Sequence, residues 1–462
     1  MLAQLDGYNL MHEGAKALAV VQHNGIRIDV DYLRSAKKET EKKQNQIKKE
    51  LQANKVYQHQ LRRFGPKTNI SSRNQLAVVL ASDYGADIPK TEKGSLKLDE
   101  SVLDTIDIPY CKMFVEYEKL NKLASTYIDG VLKEVCNGYL HPDFNLHLVK
   151  TFRSSSSAPN FQNIPIRNKE IAEIIRSAFI PRPGHVLLEV DYAALEFRVA
   201  ACYYKDPAMV EYASDPDKDI HRDCAAEIYK VKRGQVNKQT RYCAKNKFVF
   251  PELYGDFYIS CARACWDSIS QLALMVEDVP MAEHLRMQGI TKLGKLDSKV
   301  PPEPNTFEWH LKNVEKRFYQ WFPVLERSQD RLWNDYRKTG KFDLMTGFEI
   351  NGVFKRNFVL NCVIQGPAFH LLLWSLIEIV KWTTKNRTKT KVVGQIHDCL
   401  ILDCHVGELQ DVINLVEQVM TKQVKSHYDW VITPLDIEVE VAEENWFGKK
   451  QWVKKSGLWQ AV

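Results

Sequence analysis

Two short apolar runs, some two hundred residues apart, each deliver an aspartate, and no other feature constrains the fold as much. Val186-Leu-Leu-Glu-Val190 follows Pro181 and Pro183-Gly184 and reads as a strand that Asp191 closes, after which Tyr192–Ala201 reads as a helix. Lys391–Ile396 and Leu400–Cys404 are apolar runs split by His397-Asp398, the pattern of a tight hairpin without Gly or Asn at its turn. Carboxylates at strand ends can converge on one point. A close pair repels itself unless cations lie between, which suits Mg²⁺. Two metals held this way can activate an attacking oxygen and stabilise a leaving one in an in-line phosphoryl displacement. Taken singly, an Asp at a turn more often bonds the turn's own backbone.

The chain has 462 residues, 44% hydrophobic and 26% charged, enough to bury two or three cores and unlike a disordered or collagenous chain. Its longest apolar stretches, such as Phe369–Leu373, are far shorter than a membrane span, and its first residues lack a signal-peptide pattern. None of the ten cysteines forms a Cys-x-x-Cys pair, so reduced thiols in a cytoplasmic protein are expected.

The net charge of +6 is unevenly spread. Between Arg34 and Arg63 ten Lys or Arg face only Glu39, Glu41 and Glu50. Tyr229–Pro251 and Lys381–Lys391 are basic and contain no acid. A single basic run is often just a solvated face, but three point to a polyanion, because Lys and Arg gain affinity by releasing phosphate counterions. Residues 31–63 read as one long polar helix with few apolar anchors, projecting from the body. Arg241 and Lys245 lie four apart and run into Phe248, Phe250 and Tyr254. That stripe suits a triphosphate and a stacked base, or equally a helix with a charged outer face and a core end.

Several segments then match one family in order. They are Thr151–Ser155 with Pro159–Pro165, Asp191-Tyr-Ala-Ala-Leu-Glu-Phe-Arg198, Asp219-Ile-His-Arg222, Arg241-Tyr-Cys-Ala-Lys245 with Tyr254-Gly255, Asn361-Cys-Val-Ile-Gln365-Gly, Gln395-Ile-His-Asp398, and Pro434-Leu leading to Glu444-Asn-Trp446. Together they resemble the polymerase part of family A DNA polymerases, across roughly the whole chain. The resemblance implies an α+β right hand with an antiparallel-sheet palm, helical fingers and a helical thumb. It implies an N-terminal palm-associated segment at 1–29, thumb at 30–115, palm at 116–205 and 341–462, and fingers at 206–340. Primer-template DNA and dNTPs would be the partners, two Mg²⁺ ions (or Mn²⁺) the cofactors, and replication of a phage genome or DNA repair the setting.

By position the resemblance makes Asp191, Asp398 and the Tyr192 carbonyl metal ligands. Glu196 would crowd the sugar 2′ position. Arg241, Lys245 and His221 would hold the triphosphate, with Lys245 a proton donor to departing pyrophosphate, and Phe250 and Tyr254 would line the nucleotide pocket. Arg153, Asn361, Gln365, Gln395 and His397 would touch primer or template, and Lys42, Lys43, Lys48 and Lys49 would grip the duplex.

Departures accompany the match. Ala193-Ala194 stand where the family has Ser-Gln, Cys399 stands where it usually has Glu, and the stretch from Lys245 to Tyr254 is one residue long and contains Pro251. A kink or π-type turn between Lys247 and Pro251 is expected, with Val249 turned away from the pocket. The family's proofreading domain is expected to be missing, so a separate exonuclease or replisome protein would be the partner, and Asp436-Ile-Glu438 reads as structural. No Gly-x₄-Gly-Lys-Ser/Thr loop occurs. A single-subunit RNA polymerase would carry a small residue in place of Glu196. A catalytically inactive DNA-binding protein would have lost Asp191, Asp398 or Lys245.

Overall fold

The computed structural model describes residues 2–91, 94–166 and 168–462. At its centre lies a six-stranded antiparallel sheet. Its strands are β1 (His185–Tyr192), β2 (Lys391–Ile396), β3 (Cys399–His405), β4 (Ile437–Ala442), β5 (Lys450–Lys455) and β6 (Leu458–Ala461), in the order β2-β3-β1-β4-β5-β6. The first apolar run is therefore central, flanked by partners from the last quarter of the chain. Alternation decides its faces. Val186, Leu188, Val190 and Tyr192 are buried, whereas Glu189 and Asp191 on the opposite face are only half-buried. β2 and β3 form the expected hairpin, and His397 supplies the tight turn with a left-handed φ of 53°.

The 30-residue helix Arg356–Lys385 is a core element, with Val359, Leu360, Cys362, Val363, Ile364 and Leu371–Leu373 at most 1% exposed. It corrects the reading that no stretch is long enough to span a bilayer. By length and composition it qualifies, but 83% of its most apolar window is buried within the protein. A helix that is apolar on all sides is buried in a core. Helix Leu2–Asn24 packs against it, and a Cβ on Gly14 would lie 2.8 Å from the Leu373 side chain.

A second core stands apart, built from Leu51, Val56, Leu76, Leu80, Leu103, Tyr110 and Phe114. The long polar helix expected over 31–63 is two helices, Val30–Ala53 and Lys55–Phe64. Asn54 breaks it: its backbone is extended and its side chain accepts from the Val56 amide at 3.0 Å. Side-chain-to-backbone bonding of this kind competes with the helix ladder and starts the next helix instead. The pair does not project bare, because Leu51 and Val56 are at most 2% exposed in the second core.

Candidate active site

Asp191, the last residue but one of β1, lies directly opposite Cys399, the first residue of β3. The Tyr192 amide donates to the Asp398 carbonyl at 3.3 Å, so the two aspartates share one end of the sheet. Burial raises the Asp191 pKa well above the usual carboxylate range, and the charges of Asp398, Glu189 and Glu438 add to it while Lys245 opposes it. Asp191 Oδ1 is buried without a hydrogen-bond partner. An orphaned carboxylate oxygen beside a second carboxylate fits a divalent cation, which would supply the missing counter-charge. Among the described residues no group of three His, Cys, Asp or Glu is already placed around an ion. The Tyr192 side chain points away, its hydroxyl donating to the Met420 carbonyl at 2.8 Å in the core, so only its backbone is available at this end.

Ala194 takes a left-handed φ of 51° where strand passes into helix Leu195–Tyr204. That turn places Glu196 in the first helical turn, where its carboxylate accepts from the Tyr254 hydroxyl. Gln365 Nε2 donates to the same hydroxyl at 3.3 Å. Burial raises the Glu196 pKa, against the Tyr254 hydrogen bond and the charge of Arg153. Three segments distant in sequence thus meet in one chain of hydrogen bonds. Asn361, one helical turn before Gln365, carries a buried Oδ1 without a partner.

The basic stripe keeps its face through a widened turn. Helix Lys238–Ala244 runs into a π-helical segment, Lys245–Val249, and α-helix resumes at Phe250–Leu253. The Phe250 amide bonds the Lys245 carbonyl five residues back, so one extra residue is absorbed. Lys245 Nζ lies 5.4 Å from the Phe250 ring centroid, and Phe250 stacks on Tyr254 with centroids 5.9 Å apart. Val249 is fully buried in the core. The wide turn begins at Lys245, two residues earlier than expected, and the helix continues through Pro251. Pro251 falls in the first turn of the resumed helix, where its missing N–H costs little. The Lys247 carbonyl that a proline would have struck receives the Cys265 thiol at 3.7 Å.

Asp219 caps helix Ile220–Tyr229 and takes Arg241 Nε at 2.6 Å. His221 is 1% exposed and neither ring nitrogen has a partner. Burial and the charges of Lys245 and Arg241 push its pKa down to about 3, leaving a neutral ring edge-on to Phe250.

The remaining expected residues divide. His397 is exposed and, with Tyr127, Asn160 and Gln162, lines a cavity of about 750 Å³. Arg153 is half-buried and acts electrostatically on Glu196. Gln395 is occupied within the protein. Its amide accepts from Ser154 at 2.7 Å and Gln162 at 2.9 Å and donates to the His397 carbonyl at 2.7 Å, so it holds the hairpin turn instead of presenting a free amide to DNA. Lys42, Lys43 and Lys49 are exposed on helix Val30–Ala53, and Lys48 is half-buried. Sequence reasoning missed one cluster: Lys449 Nζ bridges Glu189, at 2.7 Å, and Glu440. Alternating acids along β4 were its only signal.

The family model described as DNA polymerase family A matches residues 31–266 and 344–448. The chain belongs to this family. It is 26% identical over 427 residues to DNA polymerase I of Lactococcus lactis subsp. cremoris, covering 89% of this chain and 43% of that protein. It is 27% identical over 451 residues to the thermostable DNA polymerase I of Thermus aquaticus, covering 94% of this chain and 47% of that protein. This family A chain therefore spans less than half the length of these relatives. Among solved structures, the POL domain of Pol1 from M. smegmatis, in complex with DNA primer-template and dNTP, superposes with a TM-score of 0.72 at 22% identity, covering 95% of this chain and 70% of that one. The fold is thus the right hand expected, with the antiparallel sheet as its palm.

Proposed function

We propose that the chain extends the 3′ end of a DNA primer with dNTPs on a DNA template. The observation that carries this is the meeting, in a family A chain, of Asp191 and Asp398 at one sheet end with Glu196, Lys245, Phe250 and Tyr254. Asp191, Asp398 and the Tyr192 carbonyl would hold Mg²⁺ ions, which when bound polarise phosphoryl oxygens and lower the pKa of an attacking hydroxyl. The chain's own groups do the rest. Arg241 and Lys245 neutralise triphosphate charge, and Lys245 donates a proton to the leaving pyrophosphate. The neutral ring of His221 supports Phe250 without adding charge of its own. Phe250 and Tyr254 offer the stacking surface for the incoming base. Glu196, held by Tyr254, fills the space a ribose 2′-hydroxyl would need. Lys42, Lys43, Lys48 and Lys49 contact duplex phosphates from the thumb. The bacterial origin of the relatives supports action on DNA in the cytoplasm of a bacterial or phage-infected cell.

Primer extension with dNTPs and then NTPs tests the reading. Extension with dNTPs is expected, and Asp398→Ala should abolish it while primer-template binding persists. An Asp398→Ala protein that extends at the wild-type rate would overturn the assignment. The Glu196–Tyr254 contact argues against an RNA-synthesising enzyme, which needs that space for the 2′-hydroxyl.

A further inference from the structure

The ladder sets three side chains in one row across the end of the sheet. Cys399 of β3, Asp191 of β1 and Glu438 of β4 are direct cross-strand partners, and directly opposed residues share a face. Cys399 offers no anion to that row. Its thiol is buried and its Sγ leans on the Leu400 carbonyl at 3.5 Å.

The neighbouring row on the same face carries its own cation. Glu189 stands opposite Glu440 with Lys449 Nζ between them, and Trp446 Nε1 donates to Glu189 at 2.6 Å. Asp436, the other acid nearby, is held by Arg198 at 2.6 Å. Glu438 is left without such a partner. It is exposed and makes no hydrogen bond or ion pair among the described residues, and it lines the same cavity of about 590 Å³ as Asp191, whose Oδ1 is buried and unpartnered.

We propose that Glu438 is the third carboxylate of the divalent-cation site, placed on β4 on the side of Asp191 opposite Cys399. The proposal rests on the polymerase reading and names a residue that the motifs left as structural. As they stand, no three His, Cys, Asp or Glu side chains among the described residues lie close enough together to hold an ion, so the proposal requires Glu438 to turn inward when a cation binds. An exposed, unpaired glutamate is free to do so, and its hard oxygen suits Mg²⁺ or Mn²⁺ where a soft sulfur does not.

Mn²⁺ binding to the protein without DNA or nucleotide, read from the free-ion electron paramagnetic resonance signal, separates the outcomes. Glu438→Gln should weaken Mn²⁺ affinity by at least about tenfold, since losing a ligand costs no less than losing a group that only orients one. Glu438→Asp should retain more affinity than Glu438→Gln. Glu443→Gln, which removes the same charge just beyond β4, should leave affinity unchanged. Adding Cys399→Glu to Glu438→Gln should recover binding, which a merely structural role for Glu438 would not produce. Unchanged Mn²⁺ affinity in Glu438→Gln overturns the proposal, as does failure of Cys399→Glu to recover binding in a protein that melts like wild type. Wild-type primer extension is read in parallel. Its absence sinks the polymerase reading, whereas extension with unchanged Mn²⁺ affinity in Glu438→Gln sinks this inference alone.

Discussion

Glu196 and His221 both sit where burial works against their charged forms, with opposite consequences. The Glu196 pKa is raised, so the folded state holds its proton longer than the unfolded chain, and the carboxyl contributes stability that is lost as pH rises through its folded value. His221 is the reverse, with a folded pKa of about 3 against an ordinary 6.5. Its contribution is complete above pH 6.5 and is lost as pH falls toward 3. Below pH 6.5 the wild type should therefore lose up to about 1.4 kcal/mol per pH unit through this residue, the value of one proton. His221→Phe should flatten that part of the profile, as urea midpoints measured between pH 4 and 7 would reveal, and an unchanged slope would mean that the ring protonates in place. Glu196→Ala should raise ribonucleotide incorporation relative to dNTP by roughly tenfold or more, the scale set by one obstructing group in a pocket. Competition assays with paired dNTP and NTP check it, and unchanged discrimination would place the obstruction elsewhere.

At the scale of elements, the wide turn Lys245–Val249 reconciles an extra residue with a continuous functional face. A regular helix turns about 100° per residue, so without the bulge Tyr254 would leave the side that Lys245 occupies. Pro251 makes the irregularity obligatory, because in an unbroken helix its ring would strike the Lys247 carbonyl. Deleting Asn246 closes the wide turn and forces that clash, and should cost on the order of 3 kcal/mol. The same deletion combined with Pro251→Ala should recover most of the loss. Urea unfolding of the two variants decides the matter: equal stabilities would show that proline does not govern the turn. The spacing and the proline were legible in the sequence. The start of the bulge at Lys245, and the Cys265 thiol that meets the freed carbonyl, depend on a neighbouring helix that no local pattern reveals.

At the scale of the whole molecule, two cores divide the work. The larger joins the sheet, the helices between Ile220 and Phe322 and the helix Arg356–Lys385, and the smaller holds helices between Leu51 and Tyr117. The lysine-bearing helix Val30–Ala53 reaches into both, through Leu33 and Leu51 respectively. Its exposed charge can therefore be altered without opening either core. Replacing Lys42, Lys43, Lys48 and Lys49 with Gln should reduce the slope of log affinity against log salt for duplex DNA by about 0.9 for each phosphate no longer neutralised. Products per binding event should shorten with little change in melting temperature. A salt slope equal to that of wild type would mean that the helix faces solvent.

Sequence by itself determined the strand that ends in Asp191, the hairpin around Asp398, the order of the segments and hence the family, because apolar period, turn chemistry and residue spacing are local properties. It also located the irregularity near Pro251, since a missing N–H is visible in one residue. Tertiary structure decided what those residues face. Gln395 looked available to DNA, but the fold commits its amide to Ser154, Gln162 and the hairpin turn. Glu438 looked structural, but strand register sets it beside Asp191 while Lys449 is drawn to Glu189 and Glu440. Cross-strand register and charge pairing arise between segments hundreds of residues apart, so only the assembled sheet settles which carboxylates are neutralised and which remain free.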